Sequence, residues 1–126
     1  MAEITIPMQE AIRALTASVE LPGIIRRIEP SPKGPLVVIR LSPLMGEFGV
    51  LIRFERFQNG TALFSLDGMP NLLNLNSLIK PPAGIYFEGT KMAIRPQELL
   101  AGIGVKGVAV TGFAFEAGVY RIALAA

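Results

Sequence analysis

The chain has 126 residues with no cysteine, no histidine and no tryptophan, and twelve Lys and Arg stand against ten Asp and Glu for a net charge of +2. That inventory excludes disulfides, thiolate nucleophiles, Cys- or His-based zinc sites and Ser-His-Asp catalysis. Its basic residues are dispersed rather than clustered, so no nucleic-acid footprint is present.

Half of the chain, 51%, is hydrophobic and only 17% is charged, against about 25% charged in an average globular chain. A small domain with so little polar surface lines an apolar cavity, buries a face against a partner, or exposes patches. The length fits one domain, 1–126, with a core that needs no staples. The start, MAEITIPMQE, lacks the basic region and continuous apolar run of a secretory signal, and no later segment reaches the ~18 apolar residues of a membrane span. A cytoplasmic protein without an integral membrane segment is therefore expected.

In chain order, Thr5 reads as the N-cap of an amphipathic helix with Pro7 in its first turn and Met8, Ala11, Ile12, Leu15 and Val19 on one face, ending before Pro22-Gly23. Gly23–Ile28 and Leu36–Leu41 read as strands separated by the turn-forming run Pro30-Ser31-Pro32-Lys33-Gly34-Pro35. Next comes Gly46–Gly68, whose Val50, Ile52, Phe54 and then Ala62, Phe64, Leu66 alternate with polar neighbours as a hairpin does. A two-residue loop would set Glu55 against Phe64; a three-residue loop at Gln58-Asn59-Gly60 sets Phe54 against Phe64 and Ile52 against Leu66, leaving Arg53, Glu55, Ser65 and Asp67 together outside. The three-residue loop is the expectation.

Met69–Pro82 carries Leu72, Leu75 and Ile79 at helical spacing between Pro70 and Pro81-Pro82, a short central helix. Ile85–Phe87 and Lys91–Ile94 form a strand pair, and Pro96–Ala101 makes one or two helical turns stopped by Gly102. The last stretch, Gly104–Leu124, echoes the first hairpin: at an offset of 58 positions six residues are identical, including Phe57/Phe115 and Gly60/Gly118, a weak internal repeat of 46–68 in 104–124. With Glu116-Ala117-Gly118 as its loop, Val108, Val110, Gly112 and Ala114 share the core face with Tyr120, Ile122 and Leu124. Phe113, Phe115 and Val119 then lie outside, where something must cover them.

The literal GxGxxG of Gly102–Gly107 has a helix before it and a strand after it, the reverse of a dinucleotide site, and reads as a glycine-relieved strand entry. Glu55 and Asp67 beside Arg53 have the composition of a solvated sheet face rather than of a catalytic pair. No catalytic residue, metal site or cofactor is assigned, and the chain reads as a non-enzyme.

The runs LLAGIGVKGVAVTGFAFEAGVYRIAL and FGVLIRFERFQNGTALFSL resemble the strand pattern of the tubular lipid-binding (TULIP-type) superfamily over the C-terminal two-thirds of the chain. The resemblance implies a helix wrapped by a curved antiparallel sheet with an apolar groove for acyl chains. The expected architecture is α+β: a strongly twisted antiparallel sheet of about six to eight strands, with an N-terminal amphipathic helix and a short central helix packed on one face. The expected function is a non-catalytic binding module for a hydrophobic or lipid-like ligand, walled by Phe113, Phe115, Val119, Leu72, Leu75 and Ile79. The alternative is an assembly protein using the same apolar face as a homo-oligomer interface, a homodimer in the simplest case.

Overall fold

A computed structural model describes residues 2–18, 23–44, 46–69, 83–102 and 104–125. In chain order the elements are β1 (Ala2–Pro7), α1 (Met8–Ser18), β2 (Ile25–Glu29), β3 (Leu36–Ile39), β4 (Phe48–Gln58), β5 (Thr61–Asp67), β6 (Ile85–Glu88), β7 (Lys91–Ile94), α2 (Pro96–Gly102), β8 (Ala109–Glu116) and β9 (Val119–Ala125). Among the described residues the chain is mostly sheet with two helices, an α+β arrangement, and every strand pairing is antiparallel. Instead of one sheet there are two, a six-stranded sheet in the order β2-β3-β4-β5-β7-β6 and a three-stranded sheet in the order β1-β9-β8.

The N-terminus departs first. Thr5 does not cap a helix: it pairs with Arg121, and Ala2–Pro7 lies along β9 as an edge strand. The alternation of Ala2, Ile4 and Ile6 with Glu3 and Thr5 is a short period-2 signal, and pairing with a strand more than a hundred residues away completes it. Pro7 ends the strand and the helix starts at Met8, whose N–H donates to the Gly118 carbonyl at 2.9 Å. Met8 is buried, and Ala11 and Ile12 pack on the core behind it. The expected central helix, with Leu72, Leu75 and Ile79, lies outside the described residues.

Both long hairpins turn on two residues, not three. Asn59 and Gly60 have φ of 53° and 76°, and Ala117 and Gly118 have 51° and 77°, the left-handed pair of a type I′ turn, whose twist matches that of the flanking strands. Gln58 pairs with Thr61 and Glu116 with Val119. In the first hairpin a bulge at Glu55, between Phe54 and Arg56, restores the pairing of Phe54 with Phe64 and of Ile52 with Leu66. The extra residue absorbs the one-position slip that would have set Glu55 on the core.

In the second hairpin the bulge falls at Thr111, between Val110 and Gly112. Val110 therefore still pairs with Leu124, but Phe113 pairs with Ile122 and Phe115 with Tyr120. The two phenylalanines face the core, contrary to the expectation from a three-residue loop, and it is Gly112 and Ala114 that face out. Relative to the 58-residue offset the turns coincide and the bulges differ by two positions.

The core lies between the two sheets. Ile39, Val50, Ala62, Phe64, Leu66 and Met92 from the larger sheet meet Met8 and Tyr120, with Ile6, Phe113 and Phe115 packed against them. At the root of β8, α2 contributes an unusual contact: the Gln97 side chain donates through Nε2 to the Val108 carbonyl at 2.7 Å and accepts at Oε1 from the Val110 N–H at 2.9 Å.

Candidate functional site

The apolar wall expected on the second hairpin exists, but it is turned inward. Phe113 stands against Phe54 with ring centroids 5.4 Å apart, against Phe64 at 6.1 Å and against Tyr120 at 5.9 Å, while Phe115 lies 4.7 Å from Tyr120. Phe54 and Phe64 complete the cluster edge to face at 5.5 Å. Centroid separations of this size suit the quadrupoles of the rings. The cover that the phenylalanines require is thus supplied by the chain's own β4 and β5. Of the expected wall, Phe113 and Phe115 come together, Val119 lies on the opposite face of β9 beside Pro7, and Leu72, Leu75 and Ile79 are outside the described residues.

The polar member of the cluster is Tyr120, which no sequence pattern singles out beyond its place in the alternation. It is only 9% exposed, and burial pushes its hydroxyl up to about 12 by disfavouring the phenolate. No hydrogen bond to this hydroxyl is made by the described residues. Nor is it fully enclosed, because every fully buried side-chain oxygen among them has a partner. The hydroxyl therefore reaches the rim of the apolar cluster with a donor and an acceptor to offer.

A shallow cleft of about 430 Å³ is lined by Pro7, Met8, Gln9, Pro30, Ser31, Pro32 and Gly118. Its lip, the β2–β3 loop, is fixed to the larger sheet: Ile52 N–H donates to the Pro35 carbonyl at 2.9 Å, and Ser31 closes the loop on Gly34. Gly34 has φ of 145°, and a Cβ there would stand 2.0 Å from the Ile52 carbonyl oxygen, so only glycine fits where the lip crosses β4.

The outer face of the first hairpin carries the charges. Arg53 Nε meets Asp67 at 2.8 Å, Lys91 Nζ meets Glu55 at 2.7 Å and Ser65 Oγ at 2.9 Å, and Ser65 also donates to Glu55. The Lys91 ammonium, then the Ser65 hydroxyl, hold the Glu55 carboxyl down at about 2, against a smaller upward push from burial. Every group in this network is paired, and Ser65 is buried beneath it. Among the described residues no cluster of three or more His, Cys, Asp or Glu could hold a metal ion, and no helix is long and apolar enough to cross a membrane. Comparison with protein-family models, with curated proteins and with solved structures finds no match.

Proposed function

We propose that the chain is a non-catalytic binding module for a hydrophobic or lipid-like molecule, held at the rim of the Phe113–Phe115–Tyr120 cluster. The observation that carries this reading is the Tyr120 hydroxyl: a hydrogen-bonding group that no described residue partners, set in an aromatic wall and only slightly exposed. Ligand sites have this composition, mostly apolar lining with a few placed polar groups. The ligand it suits has an acyl or aromatic body and one terminal hydrogen-bonding group, with the apolar stripe of α1 (Met8, Ala11, Ile12) flanking the site.

Native mass spectrometry of freshly purified protein, followed by titration of the delipidated protein with a fluorescent fatty-acid analogue, tests the reading. Saturable binding is expected, weakened roughly tenfold in Tyr120→Phe for the loss of about one hydrogen bond. No bound mass and no saturable titration would overturn it.

A further inference from the structure

The edge of β1 points to a second copy of this chain. The backbone of β1 alternates, and the Met8 N–H bond to Gly118 fixes which way: even-numbered residues turn their N–H and C=O to β9, odd-numbered ones turn theirs outward. β1 is the last strand of its sheet among the described residues, and none of them pairs with the outward backbone groups of Glu3 and Thr5. Pro7, at the next outward position, has no N–H to lose. On the core-facing side of the strand, Ile4 is 42% exposed, a large apolar side chain at the strand centre.

We infer that β1 pairs antiparallel with β1 of a second copy, about a two-fold axis at Ile4, making one continuous sheet in the order β8-β9-β1-β1-β9-β8. This inference is independent of the ligand reading. The residues select the register. With the axis at Ile4, Glu3 of each copy pairs with the partner's Thr5 and each pair exchanges both backbone bonds, while the two Ile4 side chains meet as close neighbours. Moving the axis to Glu3 sets the two carboxylates opposite each other; moving it to Thr5 sets Glu3 against Pro7, which has no N–H to donate.

The charges agree with the same register. Thr5 pairs with Arg121 within the chain, so the partner's Glu3 falls in the row Arg121–Thr5–Glu3, two strand spacings or about 10 Å from Arg121. An arginine and a glutamate span that distance above a short threonine. Neither Glu3 nor Arg121 has an ion-pair partner among the described residues of its own chain, so each is free for the other across the axis.

Size exclusion with light scattering on the full chain, with circular dichroism on each variant, tests this. The wild type is expected to run at close to twice the 13.5 kDa chain mass. Thr5→Pro removes only the outward N–H and leaves the bonds to β9, so it is expected to keep the wild-type spectrum and run as a monomer. Glu3→Arg and Arg121→Glu are each expected to shift the equilibrium to monomer, and Glu3→Arg with Arg121→Glu to restore the dimer by exchanging the charges. A monomeric wild type, a dimer that survives Thr5→Pro with its fold intact, or a double exchange that fails to recover the dimer lost in the single variants would each overturn the inference.

Discussion

Phe113→Ala puts the inward turn of the second hairpin to a quantitative test. In the structure this ring is the contact through which the smaller sheet reaches the aromatics of the larger one, touching Phe54, Phe64 and Tyr120. Truncating a fully buried phenylalanine costs about 3–5 kcal/mol, and Phe113 is half-buried, which brings the expected loss to about 2–3 kcal/mol. Roughly 0.5–1.5 kcal/mol of that should be coupling to Phe54 alone, recoverable from the cycle Phe54→Ala, Phe113→Ala and the double variant. Urea denaturation followed by far-UV circular dichroism measures both quantities, with a midpoint shift of about 1 M or more. Val119→Ala, on the outer face of β9, should stay under about 1 kcal/mol. If Phe113→Ala costs less than Val119→Ala, or couples to Phe54 by nothing measurable, Phe113 does not face the core and the register described for this hairpin is wrong.

Three further outcomes concern a turn and two titrating groups. Ala117 holds φ of 51° without the help that Asn59 has at the matching position, so Ala117→Asn should stabilise by about 0.5–1 kcal/mol in thermal unfolding; a loss of stability would show that the second turn is not type I′. Glu55 is held at about 2 against an ordinary 4.5, so the folded state keeps its proton off longer than the unfolded chain does. Its contribution is complete above about 4.5 and is lost as the pH falls from there to about 2, and Glu55→Gln should lower the slope of the stability profile in that window, with Asp67, held down by Arg53, still contributing. Tyr120 acts at the other extreme: with its hydroxyl raised to about 12, the unfolded state ionises first and stability should fall between about 10 and 12, a fall smaller in Tyr120→Phe, where the Tyr86 hydroxyl, raised by its hydrogen bond to Glu98, still contributes.

Much of this fold was written in short-range patterns. Ile52 against Leu66 and Phe54 against Phe64 could be read from alternation because the charged residues of the first hairpin leave one sensible face. The two-residue turn and the bulge at Glu55 could not, because together they give the same pairing as a three-residue loop for those four residues. In the second hairpin no charge broke the tie. Gly112, Phe113, Ala114 and Phe115 are all compatible with a core, and the one-residue slip from a three- to a two-residue loop exchanges the faces. The placement of β1 depended on a partner at the far end of the chain, and a proline that opens helices equally well closes an edge strand. The Tyr120 hydroxyl is a candidate only through its surroundings, in which no described residue takes up its hydrogen bonds.

The contact of Gln97 with β8 bears on what happens when such chains crowd together. One side-chain amide occupies the backbone groups of Val108 and Val110 as a residue of a neighbouring strand would, so an incoming chain finds the root of that edge already taken. An edge taken at its root offers less to an incoming strand than the edge of β1 does, and a pairing through β1 joins the same edge of both molecules and so closes on itself. In a chain this rich in apolar residues, a single glutamine thus does at the root of β8 what a neighbouring strand would do.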